Sequence, residues 1–313
     1  SLLETNLPNP FHKGKVRDTY DLGNALLMVT TDRVSAYDVM LPEGIPGRGI
    51  VLSEISALWL RYTAGVVPNH FIGMSYEPEI AKQFGLENLP DEIATRSMVV
   101  KKAQRIDVEC IVRGYITGTT ETSLWTVYNS GAREYCGNDL PEGLRKNDKL
   151  NEPMLTPTTK DKVHDRPVSK QEIIDLGLMS ESDFDVAAKM SLELFSYGQK
   201  VAKENGLILV DTKYEIGRGT DGTIKLVDEI HTPDSSRYWI ETTYKERLRA
   251  DKEPENIDKE FLRLWFAKNC DPYKDKTLPE APDELVVELS ARYILLYELI
   301  TGKKFSFPDL TNI

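Results

Sequence analysis

Apolar and polar positions alternate in two runs near the start of the chain, residues 16–21 and 25–31, and Leu22-Gly23-Asn24 divides them in the manner of a hairpin. The stretch 41–50 is broken by Pro42, Gly44, Pro46, Gly47 and Gly49, which predicts loop. Ser53 can then cap a helix with Ile55, Leu58, Trp59 and Tyr62 on one face, stopped by Gly65. Two further strands are expected at 97–101 and 108–112, joined by a basic and polar link at 102–107 that marks a lobe boundary, giving parts 1–104 and 105–313. Residues 129–168 are rich in Gly, Pro, Asn and Asp with little periodicity, and read as a long excursion over a sheet. A strong amphipathic helix follows, opened by Ser180 or Ser182, carrying Phe184, Ala187, Ala188, Met190, Leu194, Phe195 and Val201, and closed by Asn205-Gly206. After a hairpin the chain ends in helices at 258–269 and 283–301, the latter turning Leu285, Leu289, Leu296 and Ile300 inward before Gly302.

Composition narrows the function classes. The 313 residues are 40% hydrophobic and 28% charged, ordinary values for a globular chain. The longest apolar runs fall far short of the roughly 18 residues that span a bilayer, and the first residues show no basic stretch followed by an apolar core. A cytoplasmic setting is expected. Lys plus Arg number 39 against 50 Asp plus Glu, and the resulting −11 argues against nucleic-acid or anionic-membrane partners. In such a chain, local clusters of Lys and Arg carry the information about anionic ligands. Cys110, Cys136 and Cys270 are scattered without a C-x-x-C pair, and the four histidines are equally dispersed, so neither zinc hydrolysis nor a Ser/His/Asp triad has support.

The most informative segment is the hairpin at 207–230. Its apolar first strand turns polar at alternate positions, so Asp211, Lys213 and Glu215 project to one side. A two-residue Asp221-Gly222 turn would place Glu215 directly opposite Asp228, with Cβ atoms roughly 4.5 to 5.5 Å apart. Opposed carboxylates repel unless a cation or proton lies between them. A hard divalent ion suits the pair: Mg²⁺ prefers one or two carboxylates plus nucleotide phosphate, and Lys213 can balance a transferring phosphoryl group. The other reading is a solvated face on an edge hairpin. The following Asp228 to Arg237 loop, dense in short polar residues around Pro233, favours an anion site beside the metal.

Two more segments suit anions. His12-Lys13-Gly14-Lys15-Val16-Arg17-Asp18 sets basic residues around a glycine that lets backbone approach phosphate. Arg113-Gly114-Tyr115-Ile116-Thr117-Gly118-Thr119-Thr120 follows a strand with an Arg, glycines and hydroxyls. There is no Walker A loop.

These residues together resemble one family, the SAICAR synthetases (phosphoribosylaminoimidazole-succinocarboxamide synthases) of purine biosynthesis. The carriers, in order, are Gly14-Lys15-Val16-Arg17-Asp18, Asp32-Arg33-Val34-Ser35-Ala36-Tyr37-Asp38, Val108-Glu109-Cys110-Ile111-Val112-Arg113-Gly114-Tyr115, Thr156-Pro157-Thr158-Thr159-Lys160, Val210-Asp211-Thr212-Lys213-Tyr214-Glu215, and Asp228-Glu229 through Arg237. The resemblance implies an ATP-dependent ligase, with ATP as co-substrate and Mg²⁺ as cofactor. It joins the carboxylated aminoimidazole ribotide CAIR to L-aspartate, releasing ADP and phosphate. It also implies a two-lobed α+β body with antiparallel sheets, an ATP cleft between the lobes and C-terminal helices. The 1–104 lobe would cover the nucleotide, and the 105–313 lobe would carry the substrate and metal sites.

By position, the resemblance assigns catalysis to Lys213, Asp211 and Asp38. ATP would be bound by Lys13, Gly14, Lys15, Val16, Arg17, Val100, Lys101, Lys102 and Lys213. Ser35, Asp38, Arg113, Thr119, Asp211, Asp234, Ser236, Arg237, Lys259 and Arg263 would bind the ribotide, with Glu215 and Asp228 on the metal. Thr119 stands where many members carry Ser in an Arg-x5-Ser pattern, and Thr120 to Leu124 lengthens the approach to Trp125. The residues also leave open a kinase-like phosphotransferase or a nucleotide-sensing module, and they do not set the oligomeric state.

Overall fold

The computed structural model describes the chain except Asp38, residues 161–164, Tyr273, Lys276 and 308–313; for residues 39, 42 and 43 it describes backbone only. The described chain is α+β and divides into two compact units, one of Ser1–Tyr62, His70–Lys102 and Phe261–Ile313, the other of Thr63–Asn69 and Ala103–Glu260.

The first unit is built on an antiparallel sheet in the order His12–Lys13, Arg17–Asp21, Ala25–Thr30, Ser97–Lys101, Phe71–Met74. Alternation along Ala25–Thr30 sends Ala25, Leu27 and Val29 into a core with Tyr20, Ile93 and Val99. Helix Arg48–Tyr62 starts earlier than its apolar stripe predicts, inside the glycine- and proline-rich stretch expected to be loop. Asp32 explains the difference, because its Oδ1 accepts the Gly49 N–H at 2.8 Å and pairs with Arg96 at 2.9 Å. A carboxylate from outside the helix thus serves a first-turn donor that local sequence leaves unserved. Part of the remaining stretch is strand, Val39–Gly44.

The C-terminal helices belong to this unit, which corrects the expected 105–313 lobe. Leu285, Leu289, Leu296 and Ile300 of helix Asp283–Thr301 are buried as the periodicity requires, but the helix packs on Arg48–Tyr62, where the Ser290 hydroxyl donates to the Pro46 carbonyl at 2.6 Å.

The second unit centres on a six-stranded antiparallel sheet. Its main path runs Lys149–Leu155, Ala103–Tyr115, Leu207–Gly219, Ile224–Val227, and Thr158–Thr159 and Ser236–Ile240 pair with the two long central strands. Helix Glu181–Glu204, capped where the Ser180 hydroxyl accepts the Asp183 N–H, lays Phe184, Ala187, Met190, Leu194 and Phe195 on this sheet. The excursion at 129–168 holds more order than its composition suggests. It contributes short strands, and Tyr135, Leu140 and Leu150 pack with Ile116, Leu124 and Tyr128.

Candidate active site

Strand Leu207–Gly219 lies in the interior of its sheet, so the solvated edge-hairpin reading falls. Its turn also differs from expectation. The Gly219 N–H bonds the Thr223 carbonyl and the Gly222 N–H bonds the Gly219 carbonyl, both at 2.9 Å, closing a three-residue loop of Thr220, Asp221 and Gly222. Gly222 takes φ +78°, the left-handed position such loops require. Asp221 reinforces it by accepting the Thr223 N–H and hydroxyl at 3.1 and 2.6 Å. One extra loop residue shifts the register, so Glu215 faces Val227, not Asp228, which lies beyond the strand end at φ +63°.

The opposed carboxylate is on the other neighbouring strand: Glu215 pairs across the ladder with Glu109. Two lysines supply the cation that the opposition demands. Lys160 Nζ lies 3.0 Å from Glu109 Oε1 and 2.5 Å from Glu215 Oε1, and Lys213 Nζ donates to the same atoms at 2.9 and 3.4 Å. Burial pushes the Glu215 carboxyl up, but the ammonium groups of Lys213 and Lys160 outweigh it and hold the group well below the ordinary carboxylate range. For Lys213, burial favours the neutral amine, while Glu109, Glu215 and Asp228 together raise its pKa and keep it protonated. Among the described residues no group of three or more His, Cys, Asp or Glu is arranged as a metal cage.

Further along the same strand the arginines gather. Asp211 faces Arg113 on one neighbour and Arg237 on the other. Arg237 Nη1 donates to Asp211 Oδ2 at 2.7 Å and its Nε lies 3.2 Å from Glu260 Oε2. Arg113 Nη1 is 3.8 Å from Asp211 Oδ2, and its Nε donates to the Thr156 hydroxyl at 2.8 Å. Thr119 joins through its hydroxyl, which donates to Glu260 Oε1 at 2.9 Å. Gly118 lets that loop come so close: a Cβ there would meet Ser123 at 2.4 Å and Arg237 Nη2 at 3.0 Å. Ser236 shares a 2.7 Å hydrogen bond with Thr212, and Lys259 Nζ donates to Asp234 Oδ2 at 3.4 Å.

In the first unit, the exposed Lys13 and Lys15 flank Gly14 at the start of the sheet, and Arg17 donates to the Thr30 hydroxyl at 3.3 Å. Val100 pairs with Leu26, Lys101 donates its N–H to His70 at 2.7 Å, and Lys102 is tied to Asp21 at 2.7 Å. Ser35 lies on strand Arg33–Ala36, and the Arg263 carbonyl accepts the Tyr37 hydroxyl at 3.0 Å. Asp38 falls outside the described residues.

Comparison with known proteins shows the family. The SAICAR synthetase family model matches residues 10–279. The chain belongs to the SAICAR synthetase family. A phosphoribosylaminoimidazole-succinocarboxamide synthase from Legionella pneumophila (strain Lens) is 54% identical over 309 residues, 98% of this chain and 93% of that protein. A chloroplastic one from Arabidopsis thaliana is 53% identical over 292 residues, 93% of this chain and 66% of that protein. Among solved structures, the SAICAR-synthase of Saccharomyces cerevisiae complexed with SAICAR superposes with a TM-score of 0.81 at 34% identity, covering 98% of this chain and all of that one.

As a member of the family, the chain is an ADP-forming ligase that condenses CAIR with L-aspartate in purine biosynthesis, and the phosphotransferase and sensor readings fall. Glu109, Lys160 and Glu260 had no role assigned from sequence. Alternation along strand 108–112 puts Glu109 on the Arg113 face, a usable signal, but what each meets depends on the pairing of distant strands. Among the described residues no helix is long and apolar enough to cross a membrane.

Proposed function

We propose that the second unit holds and activates CAIR on the face of strand Leu207–Gly219, while the Gly14 loop of the first unit takes the nucleotide phosphates. The observation that carries this reading is the placement, along one strand, of the Arg113–Asp211–Arg237 group beside the Glu109–Lys160–Lys213–Glu215 group. A carboxylate resists an amine because it has no leaving group. Phosphorylation by ATP gives an acyl phosphate and ADP, and the aspartate amine then attacks the acyl carbon, expels phosphate and loses a proton to leave the amide. Such chemistry is governed by positioning and charge neutralisation.

The forked guanidinium groups of Arg113 and Arg237 suit the carboxylate or phosphate of the ribotide, and Asp211, supported by Glu260, aims them. Thr119 and Ser236 adjoin this group, and Asp234 and Lys259 are further ribotide contacts of the second unit; Ser35, Asp38 and Arg263 are assigned to the ribotide by the family resemblance alone. Lys213 stays charged and stabilises the transferring phosphoryl group. Lys13, Gly14, Lys15, Val16, Arg17, Val100, Lys101 and Lys102 contact ATP. The hard oxygens of Glu215 and Asp228 fit Mg²⁺ that arrives with nucleotide phosphates; no preformed cage is needed for an ion that prefers one or two carboxylates. When bound, the ion neutralises phosphate charge. The setting proposed is the cytoplasm, with CAIR, L-aspartate and ATP as small-molecule partners.

ADP release with ATP, CAIR and aspartate omitted in turn tests the reading, together with Lys213→Met. Amide and ADP should form one to one only with all three present, and the variant should lose about a hundredfold in kcat. A Lys213→Met enzyme with unchanged kcat would remove this strand face from the chemistry.

A further inference from the structure

Arg33 sits in the first unit, and its guanidinium is wholly committed. Nε donates to the Lys15 carbonyl at 3.0 Å; Nη1 donates to the Leu3 carbonyl at 2.7 Å and to Asp18 Oδ2 at 3.5 Å; Nη2 donates to the Gly14 carbonyl at 3.0 Å and to Asp18 Oδ1 at 2.7 Å. A guanidinium has five N–H donors, so all are engaged inside the protein. Asp18, fully buried, neutralises the charge and also accepts the Thr5 hydroxyl at 2.9 Å. Arg33 is thereby built as a brace, not as a ligand contact.

What it braces is the Gly14 loop. The next carbonyl, of Val16, accepts the Thr31 N–H at 3.0 Å and the Thr31 hydroxyl at 2.8 Å, and the Arg17 carbonyl accepts the Gly14 N–H at 2.7 Å. Four consecutive carbonyls are thus held by the protein's own donors. In a planar trans peptide the C=O and the following N–H point in opposite directions. Fixing the Gly14 and Lys15 carbonyls on Arg33 therefore aims the N–H groups of Lys15 and Val16 away from it. Carbonyl oxygens repel phosphate and amide hydrogens attract it, so a loop whose peptides turn freely is a poor anion site. Gly14 is needed for the tight turn, since a Cβ would lie 2.9 Å from the Arg17 carbonyl oxygen.

We propose that Arg33 is a positioning residue that presets the Gly14–Lys15 loop for nucleotide phosphate, with Thr31 as its second anchor. The inference rests on the reading that this loop binds nucleotide. Steady-state kinetics of the full chain with Arg33→Lys, Thr31→Val and Lys15→Ala tests both. Lysine keeps a charge for Asp18 but cannot reach two loop carbonyls in a fork. Arg33→Lys should raise the ATP KM about tenfold, Thr31→Val about threefold, each with kcat at saturating ATP and the KM values for CAIR and aspartate close to those of the parent. If Lys15→Ala raises the ATP KM but the other two leave it unchanged, the brace is refuted and the loop assignment stands. If Lys15→Ala also leaves it unchanged, the loop assignment falls and takes the brace with it. Equal shifts in all three KM values, or a loss confined to kcat, mean general structural damage and overturn the proposal. Should Arg33→Lys fail to fold, Thr31→Val decides alone, and an unchanged ATP KM there sinks the idea.

Discussion

Replacing Lys160 by Met removes one of the two cations between Glu109 and Glu215 while keeping most of the side-chain volume. The parent cluster is neutral, two carboxylates against two ammonium groups; the variant carries one excess negative charge. At 3.0 Å and an effective dielectric constant of about 20, the Lys160–Glu109 contact amounts to about 5 kcal/mol of gross attraction. Desolvation of the ammonium offsets much of that, and Lys160 is 21% exposed, so a net loss of about 2 to 3 kcal/mol is expected. Adding Glu109→Gln restores neutrality, and the double variant should recover about 1 to 2 kcal/mol relative to Lys160→Met alone. Urea unfolding without Mg²⁺, followed by Trp125 and Trp239 of the second unit in variants lacking Trp59 and Trp265, measures the cycle. Magnesium adds a further arm. If the uncovered carboxylates bind the ion with a Kd of about 1 mM, 10 mM Mg²⁺ should restore about 1.4 kcal/mol to Lys160→Met and much less to the parent. A double variant no more stable than the sum of the two single losses would refute the charge compensation.

Two further outcomes follow from the same geometry. Arg113→Lys and Arg237→Lys should each raise the CAIR KM about tenfold to a hundredfold, on the order of 1.5 to 3 kcal/mol for a charged hydrogen bond, with the ATP KM unchanged; titration of each ligand separately checks this, and a loss confined to ATP would reassign the arginines. The second concerns pH. Burial pushes His231 down to about 3, so below its ordinary pKa the unfolded chain takes a proton the folded one refuses, and stability falls with falling pH. Burial pushes Asp258 up to about 7, against the Tyr238 and Glu260 N–H groups it accepts, so there the folded chain holds the extra proton and stability falls with rising pH. The two slopes oppose each other between about pH 4 and 6.5, each about 1.4 kcal/mol per unit. His231→Gln should therefore gain stability relative to the parent as pH falls through that window, and Asp258→Asn should lose it; parallel pH curves for all three proteins would contradict both assignments.

What was legible in the sequence was whatever local periodicity determines. The inward stripe of the last helix, the amphipathic helix after Ser180 and the projection of Lys213 and Glu215 to one side each follow from side-chain direction alone. Misread features depended on a count or a partner that no local pattern holds. Asp221-Gly222 has the composition of a two-residue turn, yet Thr220 joins it, and that single residue moves Asp228 out of register with Glu215. Helix Arg48–Tyr62 begins early because a cap comes from Asp32, outside the helix. The last helix shows which of its faces is buried, but not that the covering element is Arg48–Tyr62.

The opposed-carboxylate argument survives its misplaced partner, because its physics does not depend on which acid faces Glu215. Two carboxylates on adjacent strands require positive charge between them, and in an acidic chain of net −11 two lysines supply it. Carboxylates also keep Lys213 protonated and hold both lysines in place, ready for an anion. On the proposed assignments, nucleotide phosphates and a divalent ion add the missing counterparts of both signs, so lysines can turn to phosphate and carboxylates to metal without leaving a buried charge unpaired. Substrate and metal would then bind more tightly together than either does alone. Glu215→Gln separates this account from simple repulsion: repulsion alone predicts a more stable ligand-free protein, whereas the lysine-bridged cluster predicts a less stable one, with two ammonium groups left to share Glu109.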